Sequence, residues 1–192
     1  MTTMKLIFNE AELKDRLAAL PCSKMVAFAA GCAERLMPAY ARYSEKAALG
    51  ADVSLYSHAL DTIWSQLLGG KTNRQFIEDM EKRCVIGIPP EDDAERVLEP
   101  YAEDAGATVT FAIRALLSCD PQDAVWAARR VYEAVDNFMV RTQEGMPSSQ
   151  LEEQHLLSHP LIQRELARQK YDLEQLEAES NSSIQQETIE GL

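Results

Sequence analysis

Leu98-Glu-Pro-Tyr-Ala-Glu-Asp-Ala-Gly-Ala-Thr-Val-Thr-Phe-Ala-Ile-Arg-Ala-Leu-Leu117 decides the fold. Wound on an α-helix, its apolar residues Ala105, Ala107, Val109, Phe111, Ala112, Ile113, Ala115 and Leu116 point in nearly every direction. A helix apolar all round belongs at the centre of a protein. The rest of the chain must then supply one-sided helices to cover it, and its spacing reads that way.

Asn9 caps a first helix that Pro21 stops, and Ser23 is the expected cap of a second. In the second, Met25, Phe28, Cys32, Leu36, Tyr40 and Tyr43 recur at three and four residues, with Pro38 inside as an expected kink or break. Asp52 caps a third helix, whose inward Tyr56, Leu60, Ile63 and Trp64 precede Gly69-Gly70. A fourth begins near Thr72 or Asn73 and yields to Gly87 and Pro89-Pro90. Asp120-Pro121, a cap followed by proline at the first helical position, opens a helix to about Thr142. From Gln150 to about Ala178 runs a last helical region, divided at Pro160. There Ile162, Leu166, Gln169, Leu173 and Leu176 alternate spacings of four and three, the seam of a coiled coil or bundle helix. The expectation is an all-α fold: a compact bundle of about seven helices in one domain over 1–180, with the 98–117 helix central. The polar residues 181–192 are expected to be a disordered tail.

Thirty-one Asp and Glu against 19 Lys and Arg leave a net charge of -12, which repels phosphate backbones and anionic lipid headgroups. Neither nucleic acid nor a membrane is expected as a partner. With no secretory leader pattern and no apolar run of membrane-spanning length, a cytoplasmic location is expected. Cys22, Cys32, Cys84 and Cys119 are widely spaced with no Cys-x-x-Cys pair, and they read as buried reduced thiols.

Four residues form a candidate polar cluster. Asp104 shares a helix face with Tyr101, Ala105, Thr108, Phe111 and Ala115, so it points inward and needs a partner. Arg35, at the border of the second helix's stripe, is the expected one, and Glu34 and Asp61 border the same region. The cluster is either a structural ion pair that fixes helix register or a polar pocket between helices. His155 and His159 stand four apart, as metal ligands sometimes do, but Pro160 works against helical geometry at His159 and no third ligand is identifiable. No metal is assigned. A magnesium-dependent pyrophosphohydrolase set fails in order and content, because Glu133-x-x-Asp136 is followed by Glu152-Glu153 without the second acidic turn. There is no phosphate-cradling glycine loop and no nucleophile elbow, so no cofactor is expected. Trp126 lies off the inward stripe of its helix, and with Ile162, Leu166, Leu173 and Leu176 it makes the candidate interface.

Cys32-Ala-Glu-Arg-Leu-Met-Pro-Ala-Tyr40, Leu60-Asp-Thr-Ile-Trp64, Pro100-Tyr-Ala-Glu-Asp-Ala105 and His159-Pro-Leu-Ile-Gln163 occur in that order. On these pieces the chain resembles the YjaG-like family of bacterial domains of unknown function over about residues 10 to 178. It departs from that family at Pro38-Ala39-Tyr40, where Pro-Asn-Tyr is frequent, and in ending where a longer C-terminal region usually follows. The resemblance implies an all-helical fold and no activity. The function expected is that of a non-enzymatic protein acting through a protein partner or a homo-oligomer. The alternatives are an enzyme binding a metal or small molecule at the polar cluster, and an immunity or regulatory protein whose acidic surface masks a basic partner.

Overall fold

The computed structural model describes residues 5–46, 52–89, 99–142 and 157–190. Among them lie seven helices: α1 (Glu10–Ala18), α2 (Cys22–Lys46), α3 (Val53–Leu67), α4 (Arg74–Ile86), α5 (Glu99–Ser118), α6 (Pro121–Thr142) and α7 (Pro160–Glu190). The fold is all-α. Asn9 accepts from the Glu12 N–H, Asp52 from Ser54 and Leu55, Asn73 from Gln75, and Asp120 from Gln122. Each is a short polar side chain satisfying a helix-start donor that the helix itself leaves open.

Two helix bounds differ from the sequence reading. The second helix begins at Cys22, with the Pro21 carbonyl accepting from Lys24 and Met25, so Ser23 lies inside it. It also continues through Pro38. That residue is exposed, which puts the break in the hydrogen-bond ladder on the side where water reaches it. At the other end of the chain, α7 runs to Glu190, into the stretch read as a polar tail. Residues 181–190 hold neither proline nor glycine, and Gln and Glu are good helix formers. The expected helical stretch from Gln150 to Leu156, with His155, lies outside the described residues.

The central helix is α5, which packs on α2, α3, α4 and α6. Ala102, Ala105, Val109, Ala112, Ile113 and Ala115 are fully buried, and their small size lets the neighbouring helices approach. The buried hydroxyls of Thr108 and Thr110 donate to the carbonyls of Asp104 and Gly106 one turn back, so they cost little despite their burial. Gly106 is the closest point. A Cβ there would lie 3.0 Å from the Tyr56 hydroxyl and 3.2 Å from Ile88 Cγ1. Tyr56 cannot easily retreat, because it is fully buried and donates to the Cys84 carbonyl at 2.9 Å. Gly106→Ala should therefore destabilise by about 1–2 kcal/mol in a denaturant melt, overpacking outweighing the gain in helix propensity.

The seam of α7 faces inward. Ile162, Leu166 and Leu173 are buried and Leu176 packs against the main core, mostly on α6 and α2. Their expected place in an intermolecular interface is corrected accordingly: the chain's own core already covers them. The cysteine reading holds for Cys32 and Cys84, which are free and buried. It is corrected for the other two, since Cys22 and Cys119 form a disulfide with Cα atoms 5.4 Å apart. They stand at the adjoining ends of α2 and α5, 97 residues apart in sequence, a proximity that no local motif announces.

Ahead of α1, residues 5–9 form a strap over the start of α7. The Gln163 side chain accepts from the Leu6 N–H at 2.9 Å and donates to the Leu6 carbonyl at 2.8 Å, pairing with backbone as another peptide unit would. Phe8 stacks on Tyr132 of α6, with centroids 5.4 Å apart.

Candidate functional site

Arg35 projects from α2 with its side chain 10% exposed. Its Nη1 donates to Asp172 Oδ2 at 2.6 Å and its Nη2 to Cys32 Sγ at 3.0 Å. Its Nε lies 3.2 Å from Glu165 Oε1, an ion pair without the alignment of a hydrogen bond. Glu165 also accepts from Gln169, whose amide donates in turn to the Ala128 carbonyl. Burial raises the carboxyl pKa of Glu165 above its ordinary value, while Arg35 and Gln169 pull it back. Burial pushes the neighbouring Cys32 thiol up to about 12, so it is neutral and inert as a nucleophile.

Beside this network runs a groove of about 670 Å³ between α2, α3 and α7, lined by Gly31, Glu34, Pro38, Trp64, Arg168 and Asp172 among others. Glu34 accepts from the Trp64 indole N–H at 3.0 Å. Asp104 is elsewhere. It is 4% exposed and pairs with Arg130 of α6 at 3.2 Å. Asp61 is exposed on α3 and lines neither place. The expected cluster is thus divided: Glu34 and Arg35 belong together, and the Arg35–Asp104 pair is replaced by Arg35–Glu165–Asp172 and Asp104–Arg130.

Arg130 leads to a second depression, a shelf of about 520 Å³ lined by Phe111, Arg114, Trp126, Arg129, Arg130 and Glu133. Trp126 is 39% exposed and rests on Phe111, with centroids 5.4 Å apart. Arg114 lies over the same Phe111 ring and pairs with Glu81, while Arg129 pairs with Glu133 and Glu10. The arginines are therefore held in fixed positions around the indole, each with N–H donors to spare.

His159 uses its Nδ1 to accept from the Leu161 N–H at 3.2 Å, so it caps the start of α7. Among the described residues, no group of three or more His, Cys, Asp or Glu side chains could hold a metal ion.

The profile of a family described as "Protein of unknown function (DUF416)" matches residues 12–192. The chain belongs to the DUF416 family. A crystal structure of a DUF416 family protein from Shewanella baltica OS155 superimposes with a TM-score of 0.73 at 23% identity, covering 93% of each chain. That likeness shows a common DUF416 fold. Among curated proteins none matches the chain.

In this DUF416 chain the buried Asp104 is placed to titrate near neutrality. Burial pushes its carboxyl up to about 6, against the attraction of Arg130 and with added repulsion from Glu103 and Glu133. A carboxyl whose folded pKa is raised favours the fold when protonated, and that contribution fades as pH rises through 6. Between pH 7.5 and 4, wild type should thus gain stability on Asp104→Asn by up to about 3 kcal/mol, the equivalent of roughly two pKa units. Parallel melts of the two proteins across that range check it. A difference that stays flat would mean that Asp104 titrates like an exposed carboxyl.

Proposed function

We propose that this DUF416 domain is a non-catalytic protein-contact module whose contact face is the Trp126 shelf. The observation that carries the reading is a half-exposed indole backed by Phe111 and ringed by Arg114, Arg129 and Arg130 in a chain of net charge -12. Tryptophan and arginine are the residues most enriched where binding energy concentrates, and fixing them in advance removes part of the ordering cost. The divided polar cluster and the inert Cys32 give no comparable support to catalysis.

The partner is an acidic segment of another protein. Two copies meeting by this face around a twofold axis would set guanidinium groups against guanidinium groups, whereas carboxylates would take up the spare donors in paired geometry. The test is a photo-crosslinking residue at position 126, with the same residue at the exposed Tyr171 as control. Adducts specific to 126, carrying Asp- and Glu-rich peptides and lost in Arg129→Glu/Arg130→Glu, are expected. Adducts no different from the control would reject the shelf, and adducts solely of a second copy would reject the acidic partner.

A further inference from the structure

We propose that the groove between α2, α3 and α7 binds a small zwitterion, a free α-amino acid with an apolar or aromatic side chain. Gly31 is part of its lining. Gly31 sits in the middle of the long α2, where glycine costs about 1 kcal/mol relative to alanine. Elsewhere such a residue makes room for a neighbour, as Gly106 does for Tyr56. A Cβ at Gly31 would meet nothing within 4 Å, so what the missing side chain leaves open is the groove itself. At about 670 Å³, it falls in the range of small-ligand sites.

The charges on its walls select the ligand. Arg35 is already committed to Asp172 and Glu165. Arg168, which lines the groove on α7, is exposed and has no ion-pair partner among the described residues. Glu34, which also lines the groove, uses one carboxylate oxygen to hold the Trp64 indole N–H, leaving the other oxygen free. A simple anion would meet Arg168 but also the carboxylates of Glu34 and Asp172. A simple cation would meet those carboxylates but also two guanidinium groups. A ligand with a carboxylate for Arg168 and an ammonium for Glu34 satisfies both signs. The apolar remainder of the lining, Phe28, Trp64 and Leu176, suits an apolar side chain.

Calorimetry on the full chain with L-phenylalanine, 3-phenylpropionate and 2-phenylethylamine separates these demands. Phenylalanine should bind, and each analogue, lacking one charge, should bind at least tenfold more weakly. Arg168→Ala, a surface change, should weaken phenylalanine at least tenfold and leave the amine unchanged. Gly31→Leu projects a side chain into the groove from a Cβ position with nothing within 4 Å, and it should abolish binding while melting at or above wild type. The proposal is overturned by no heat from phenylalanine at millimolar concentration, by a lone anion or cation binding as tightly as the amino acid, or by binding that survives Gly31→Leu. Trp126→Ala leaves this binding intact, which separates the groove from the shelf.

Discussion

Reduction of the Cys22–Cys119 bond is expected to lower the unfolding free energy by about 4–5 kcal/mol, on the chain-entropy estimate for a closed loop of this length. The bond ties residues 97 apart and so restricts the unfolded chain across α2 to α5, more than half of the helices. Cys119 is exposed and Cys22 half-buried, which puts the bond at the edge of the bundle rather than in its core. The effect is large against a usual stability of about 5–15 kcal/mol. Urea melts with and without dithiothreitol read it directly, and Cys22→Ser should reproduce the reduced protein while losing all sensitivity to reductant. An unchanged midpoint on reduction would show that the folded ends of α2 and α5 hold each other without the covalent tie.

Replacing Arg35 should be nearly as costly. Arg35→Met keeps the apolar stem and deletes the guanidinium, leaving Glu165 buried with Gln169 as its main support. An uncompensated buried charge of this kind costs about 3–5 kcal/mol. The sign of the pH response identifies the cause. Burial already raises the Glu165 carboxyl, and without Arg35 it rises further, so the variant should recover stability as falling pH protonates that group. Arg35→Met/Glu165→Gln should recover much of the loss at neutral pH, since no charge then remains in the dry site. A double variant no better than the single one would place the cost in packing.

The architecture was legible because it rests on local signals. Caps at Asn9, Asp52, Asn73 and Asp120 and the all-round apolarity of α5 each depend on residues within a turn or two. The polar sites depend on which helices meet, and that was not local. Asp104 is inward and paired with a cation, as its helix face implies, but that cation is Arg130 of the next helix in sequence rather than Arg35 across the bundle. A short α5–α6 connection brings those two helices together as an antiparallel pair, a clue that the sequence does hold. The true partners of Arg35 were also signalled. Gln169 interrupts an otherwise apolar seam, and Glu165 and Asp172 lie at spacings of four and three from it, a polar row beside the apolar one. The Cys22–Cys119 bond, between residues 97 apart, left no trace in spacing.

The grip of Gln163 on Leu6 has a consequence for the order in which the molecule is made. The two residues are 157 positions apart, so the clamp on the strap cannot close until the start of α7 has followed it. At usual elongation rates of about 5–20 residues per second that interval is roughly 8–30 s. During it, the strap has Tyr132 of α6 to rest on once that helix is made, but not the backbone clamp of Gln163. A chain that stops before α7 keeps the stack of Phe8 on Tyr132 but lacks the two hydrogen bonds that clamp Leu6.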